Sequence, residues 1–190
     1  LLLGLNLPPS IPLWIAAVGG AVAIIIVKQL FGGLGQNFIN PALGARVILL
    51  ISWAGYMTNW TAPGADAVSA ATPLGLIKQG AQAAGAVLPS YADLFIGRIA
   101  GCIGETSALA LLIGAIYLLI RRVITLEIPL TFIITTALLT WIFGGNTLFT
   151  GDFVYHILSG GLILGAFFMA TDYATSPVTK KGKYIMGFGC

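Results

Sequence analysis

Charge is scarce in this chain. Of its 190 residues only 8% are Asp, Glu, Lys or Arg, nine basic against six acidic, where a soluble domain carries about 25%. Histidine occurs once and cysteine twice, at Cys102 and Cys190. Two cysteines cannot build a metal cluster alone and give no redox-compartment signal. With a mean hydropathy of +0.98, this shortage excludes a soluble enzyme, a disordered chain and a secreted disulfide scaffold. The net charge of +3 is too small to argue for a nucleic-acid partner. Apolar residues (58%) and 25 glycines fill the remaining space. That composition predicts an all-α, polytopic membrane protein. The apolar runs are continuous, whereas a membrane β-barrel needs segments of about ten residues with alternating polarity.

The chain reads as one transmembrane domain over residues 1–190, with five spans: Leu13 to Phe31, Pro41 to Met57, Ile96 to Ile120, Ile128 to Phe143 and Tyr155 to Thr171. Pro8, Pro9 and Pro12 announce the first, and Pro41 suits the first turn of the second. The chain opens without an initiator Met and closes on Ile185-Met186-Gly187-Phe188, the start of a sixth span. Both ends are therefore expected to be cut from a longer protein. Lys28, Arg121, Arg122, Lys180, Lys181 and Lys183 fall on one side if the spans alternate, so that side is expected to be cytoplasmic. The loop from Gly144 to Phe153 and the long segment from Thr58 to Phe95 then lie outside; the long one has only Lys78 as a basic residue. It is the largest extramembrane piece and the expected place for a site. Trp14, Trp53, Trp60, Trp141, Tyr155 and Tyr173 sit near span ends, as interfacial anchors do.

Glycine breaks recur at span ends, at Phe31-Gly32-Gly33 and Phe143-Gly144-Gly145, and Asn40-Pro41 interrupts the chain before span two. At membrane depth such breaks are tolerated only where backbone lines a cavity or is buried in protein. In the outer loop, Thr72-Pro73 has the form of a helix N-cap followed by proline at the first helical position, opening a short interfacial helix over Leu74 to Ala86. In span three, Arg98 and Glu105 are seven positions apart and share one face if the helix is continuous. Glu105 would then lie about two and a half turns inside. A charge at that depth costs about 2.5–3.5 kcal/mol on insertion scales. Two readings follow: a functional carboxylate facing a cavity, a partner subunit or an ion route, or a cap on a span that begins near Ile103. Arg98 is placed to snorkel. Arg46, one turn beyond Pro41, could bind a flavin or quinone oxygen or satisfy the broken backbone near Asn40. Gly97-x-x-x-Gly101 is a small-residue contact face. Cys102 reads as a packing residue and His156 as a satisfied interfacial histidine. Asp152 and Asp172 fall on opposite sides and cannot pair.

Several separated motifs, in order, resemble one family. They are Phe31-Gly-Gly-Leu-Gly-Gln-Asn37, Asn40-Pro41-Ala42, the heptad Asp66 to Thr72 followed by Pro73-Leu74, Gly104-Glu105-Thr106-Ser107, and His156 to Pro177 with Gly165 to Asp172 inside it. Together they resemble the D subunits of Rnf ion-translocating electron-transport complexes and, more distantly, the B subunits of sodium-translocating NADH:quinone reductases. The resemblance implies that Thr72 carries FMN through a phosphoester, attached by a flavin transferase outside the cytoplasm, with Asp66 and Ser69 as the other heptad positions. Ala67 and Ala70 stand where the family heptad usually has glycine; both are small enough to let the segment enter a transferase groove. A second, non-covalent flavin is a further expectation. The resemblance also implies electron passage from ferredoxin to NAD coupled to Na⁺ or H⁺ export across a prokaryotic cell membrane. It further implies that partner membrane and peripheral subunits supply iron–sulfur and flavin centres, and the chain is expected to be a piece of a larger two-half membrane domain. In that setting Glu105 is the ion-coupling candidate.

Two other functions fit the hydropathy. A solute channel or transporter would line its path with the broken Gly and Asn-Pro segments, and a structural scaffold would need no site at all. Broken segments alone do not separate the electron-transfer reading from a channel; the heptad does, because a channel has no reason to carry it.

Overall fold

The computed structural model describes residues 1–33, 35–61, 71–78, 88–145 and 147–190. Among them the architecture is helical. A short α1 (Leu2–Leu5) precedes α2 (Leu13–Ala21), which continues as a π-helix over Val22–Gln29. Then come α3 (Pro41–Ser52), α4 (Ala54–Met57), α5 (Pro73–Lys78) and α6 (Tyr91–Ile96). The second part contains α7 (Ala108–Ile120), α8 (Glu127–Phe143), α9 (Phe153–Leu158) and α10 (Leu162–Leu164), a second π-helix over Gly165–Met169, and α11 (Lys180–Gly189).

The helix starts follow from sequence. Asn40 caps α3, its Oδ1 accepting from the amides of Ala42 (3.0 Å) and Leu43 (3.4 Å), while Pro41 occupies the first turn where no amide is required. Ser107, Asp152 and Thr179 cap α7, α9 and α11 in the same way.

One expected helix is overturned. Residues 96–120 do not form a single helix. α6 stops at Ile96 because Gly97 turns left-handed (φ +106°), and helix resumes only at Ala108. A Cβ at Gly97 would lie 2.8 Å from Ser107 Cβ and 2.9 Å from its Cα. The glycine thus permits both the left-handed turn and the close approach of the two ends of the break. The stretch 97–107 carries Arg98, Glu105, Thr106, Ser107 and three glycines, signals that fit an interruption but do not by themselves place it, since apolar residues continue on both sides. Arg98 and Glu105 consequently share no helix face. Two more expected segments are divided, the second at Trp53 and the fifth at Ser159-Gly160-Gly161, while the fourth is a single helix, α8. No helix among the described residues is both long and apolar enough to cross a membrane; the longest, α8, has 17 residues.

Burial is the reverse of a soluble protein's. Large apolar side chains point outward in stripes, such as Ile113, Ile116 and Ile120 on α7 and Leu130, Ile134 and Leu138 on α8. The interior is assembled from small residues and a few fillers: Ile15, Ala45, Leu49 and Met57 in one cluster, Ala108, Ala115, Ala166 and Phe167 in another. An exposed apolar surface this extensive belongs against lipid or partner subunits.

The helices sort the polar residues to two ends. At one, Lys183 Nζ donates to Thr125 Oγ1 (3.0 Å), the Tyr173 hydroxyl donates to the Val123 carbonyl, and Lys28, Asn37 and Asp172 line one hollow. At the other, Ser10 donates to the Asn59 carbonyl (3.3 Å), Trp14 meets Trp53 edge-on at 5.5 Å, and the Tyr91 hydroxyl donates to Asp152. Asp152 and Asp172 are at different ends.

Candidate functional site

Thr72 is the N-cap of α5. Its Oγ1 accepts from the Gly75 amide at 3.2 Å, and its carbonyl accepts from Leu76 at 2.9 Å. Pro73 is buried at the first helical position. Ile77 packs into the cluster of Leu94, Ile99 and Tyr155, and a Cβ at Gly160 would lie 3.2 Å from Leu74 Cδ1. The helix is therefore docked on α6, on the first turn of α9 and on the Gly160-Gly161 break. Thr72 itself is half-buried. A Cβ at Gly75 would sit 3.1 Å from its Oγ1, so the absence of a side chain there leaves the hydroxyl room for a substituent. The expected helix over Leu74 to Ala86 is seen to Lys78; Asp66, Ser69 and residues 79–87 lie outside the described residues.

Glu105 lies in the irregular 97–107 segment. Its Oε1 accepts from the Cys102 amide at 3.1 Å, and its Oε2 lies 2.9 Å from where a Cβ on Gly161 would be. The same glycine pair, Gly160 and Gly161, thus receives Leu74 from the Thr72 helix on one residue and the Glu105 carboxylate on the next. That juxtaposition is invisible in sequence, where the three segments are far apart.

Arg46 is committed inside the protein. Its Nη1 donates to Asn6 Oδ1 (2.8 Å) and its Nη2 to the Cys102 sulfur (3.4 Å). It therefore does not satisfy the backbone beside Asn40. Asn6, 2% exposed, passes the chain on through its Nδ2 to the Leu2 carbonyl (2.9 Å) and the Met169 sulfur (3.4 Å), and Asn40 Nδ2 reaches the Met169 carbonyl (3.2 Å). A polar string thus runs from Glu105 through Cys102, Arg46 and Asn6 to Met169 and Asn40. It ties α1, α3, the 97–107 break and the second π-helix together, as buried polar groups require. Asn6 had no motif to mark it; its signal was a lone amide within Leu1 to Leu7. Cys102, fully buried, packs as expected and also accepts from Arg46.

An apolar cavity of about 860 Å³ lies between the two π-helices, lined among others by Val27, Phe31, Phe38, Asn40, Gly165 and Met169. Arg46 does not line it. At the other end His156 Nδ1 lies 2.8 Å from the Asp152 carbonyl, a locally satisfied ring, and Arg98 is exposed. The hydrogen bond to Asp152 raises the Tyr91 pKa above the usual tyrosine value.

Known proteins resemble this chain over its whole length. It is 52% identical, over 100% of its length, to the D subunit of the Na(+)-translocating ferredoxin:NAD(+) oxidoreductase complex of Acetobacterium woodii, covering 58% of that protein. It is 47% identical to the D subunit of the proton-translocating ferredoxin:NAD(+) oxidoreductase complex of Clostridium ljungdahlii, with 100% of the chain and 60% of the relative covered. The D subunit of the ion-translocating oxidoreductase complex of Rhodobacter capsulatus is 40% identical over 99% of the chain and 60% of its own length. The chain thus spans about three-fifths of the relatives it matches. The family model described as NQR2, RnfD, RnfE matches residues 1–190. Ordered motifs, broken helices and an outward apolar surface agree with that match: the chain belongs to the NQR2, RnfD, RnfE family of membrane proteins.

Proposed function

We propose that this chain forms part of the flavin-carrying membrane subunit of an ion-translocating ferredoxin:NAD oxidoreductase, with FMN esterified to Thr72. The observation that carries the reading is the setting of the Thr72 hydroxyl: half-buried, on a helix seated against α6 and α9, with glycine at position 75 leaving space beside Oγ1. In esterification the transferase moves the flavin-bearing phosphoryl group from an activated flavin nucleotide: the bond from phosphorus to the donor's leaving group breaks, the Oγ1–P bond forms, and the hydroxyl proton departs with the leaving group. Oγ1 did not use that proton in its bond to Gly75, so it continues to accept from the amide and the cap survives. The positive end of the short helix and its first-turn amides favour the attached phosphate. Bound FMN supplies one- and two-electron transfer; this chain supplies the anchor and the surface against which the flavin is oriented.

In this reading Asp66 and Ser69 complete the motif recognised by a flavin transferase, and iron–sulfur and flavin subunits are the electron partners. The chain is multi-pass, one piece of a two-half domain. The end bearing Lys28, Arg121, Arg122 and Lys180 to Lys183 faces the cytoplasm, and Thr58 to Phe95 faces outward, following the Lys/Arg asymmetry. Glu105 is the coupling carboxylate, adjacent through Gly160-Gly161 to the helix that bears the flavin. The apolar cavity between the π-helices is within the size range of ligand sites and is the space for a second, non-covalent flavin. The test is in-gel fluorescence of the denatured polypeptide, made together with its transferase, followed by peptide mass spectrometry. A flavin-phosphoryl adduct on the peptide containing Thr72 supports the reading; a band without fluorescence and an unmodified Thr72 refute it.

A further inference from the structure

Helix α7 ends in a Schellman motif. The Val123 amide donates to the Leu118 carbonyl and the Arg122 amide to the Leu119 carbonyl, both at 3.0 Å, with Arg122 left-handed at φ +54°. That position normally belongs to glycine, because a Cβ is strained there. The chain has 25 glycines and uses them at the left-handed turns of residues 32, 33, 35 and 97. Among the described residues two positions other than glycine turn left-handed, Phe149 (φ +65°) in the 144–152 loop and Arg122 here, and at Arg122 the strain accompanies a side chain that borders a basic hollow. Favourable contact with the helix C-terminus does not account for it, since Arg121 already supplies a cation at the C-cap.

Arg122 borders a hollow of about 280 Å³ between the 121–126 turn and the 171–183 segment. Lys183 enters it from α11, with hydroxyls contributed by Thr125, Thr171 and Ser176, and no carboxylate lines it among the described residues. Glu127 lies in a neighbouring hollow with Leu130 and Tyr184, shares Thr125 with this one, and feels the charges of Lys183 and Lys180. Asp172 faces the hollow that contains Lys28. Arg121, Lys180 and Lys181 flank the mouth in sequence. Val178, which lines the hollow, is 96% exposed; Ile120 at the end of α7 is 73% exposed and Leu126, in the neighbouring hollow, 51%.

We propose that this hollow binds the phosphate headgroup of an anionic phospholipid, with Arg122 and Lys183 as its charge partners and the acyl chains lying along Ile120 and Leu126. A basic pocket between helices, floored by hydroxyls and rimmed by apolar side chains, matches both halves of such a molecule. Arg122 and Lys183 outnumber the one carboxylate that feels Lys183, Glu127 on the far side of Thr125, and this positive balance favours a phosphate over a zwitterionic headgroup, whose ammonium would be repelled. The strained backbone at Arg122 is retained because glycine at that position would give up the guanidinium.

The test uses the purified complex in neutral detergent, with thermal unfolding and native mass spectrometry read against added phosphatidylglycerol, cardiolipin, phosphatidylcholine and inorganic phosphate. Anionic lipid should raise the unfolding midpoint, and phosphatidylcholine and millimolar phosphate should not. Arg122→Gly should fold at least as stably as wild type without lipid, because it relieves the turn. It should bind anionic lipid about fivefold more weakly, and R122G/K183Q about thirtyfold more weakly, taking each surface cation at its usual contribution. The charge-keeping R122K/K183R should bind like wild type, and K78Q at the other end should be unchanged. Equal binding of anionic and zwitterionic lipid, undiminished binding by R122G/K183Q, or full competition by inorganic phosphate would each overturn the lipid site.

Discussion

The Thr72 hydroxyl is assigned two roles, cap and flavin anchor, and substitution can separate them. As a cap it makes one hydrogen bond, 3.2 Å to the Gly75 amide, from a half-buried position on a six-residue helix. N-cap removal costs about 0.5–2 kcal/mol, and one long, partly solvated bond places Thr72→Ala near 1 kcal/mol. For a chain of this size that is a fall of about 2–4 °C in unfolding midpoint. The helix should stay docked, because Pro73 is buried and Ile77 packs with Leu94 and Tyr155 independently of the hydroxyl. Thr72→Asp is the more telling variant. Aspartate caps helices as well as threonine or better, so the structure should be kept within a few tenths of a kcal/mol, yet a carboxylate cannot be esterified by phosphoryl transfer to a hydroxyl. Thr72→Asp should therefore lose all in-gel flavin fluorescence at near-wild-type stability, whereas Thr72→Ala should lose the fluorescence and the 2–4 °C together. The assay is fluorescence of the denatured band alongside thermal unfolding of the same preparation. Undiminished fluorescence from Thr72→Asp would refute Thr72 as the anchor. A fall of about 10 °C or more in Thr72→Ala would refute the docking argument, since a cap alone cannot supply it.

Four further outcomes are expected. Single cysteines at Asn59 and Lys181, in a background lacking Cys102 and Cys190, should react differently with an impermeant maleimide added outside cells: Asn59 labelled, Lys181 spared, and the reverse pattern would invert the proposed topology. Glu105→Gln keeps an oxygen for the Cys102 amide, so it should change stability by no more than about 1 kcal/mol and retain the flavin. Ion uptake into vesicles should slow more than reduction of artificial acceptors; equal preservation of both would reduce Glu105 to a structural role. Arg46→Leu strands Asn6 Oδ1 in the core and should lower stability by about 1.5–3 kcal/mol, with Arg46→Lys recovering part, as chemical denaturation can measure. Gly97→Ala combines a left-handed φ with a Cβ 2.8 Å from Ser107 Cβ. It should destabilise by at least about 1–2 kcal/mol, far more than Gly20→Ala, whose Cβ meets nothing within 4 Å.

Composition alone was enough for the class of protein, because a membrane imposes its demand on every residue of a span: 8% charge and long apolar runs admit few folds. Local signals were also readable where the interaction is local. Asn40-Pro41 and Thr72-Pro73 cap the helices they announce, since a cap bonds amides only two or three positions away. The interruption at 97–107 was not readable in the same way. Gly97, Gly101 and Gly104, with Arg98 and Glu105 among them, mark a weak point in the apolar run, but where the helix breaks is decided by the close approach of Ser107 to Gly97 and of Leu5 to Gly104. Residues far apart in the chain provide half of that contact.

The same division runs through the site. The linear motif is sufficient to nominate Thr72 and Glu105, because modification and charge are properties of single residues in short contexts. That the Thr72 helix and the Glu105 carboxylate both come to rest on Gly160-Gly161, that Arg46 is bound by Asn6 and Cys102 rather than left facing a cavity, and that Arg122 closes a left-handed turn beside Lys183, all depend on how helices pack. Periodicity reports which way a side chain leaves its own helix. It carries no information on which distant backbone, stripped to glycine, will make room for it.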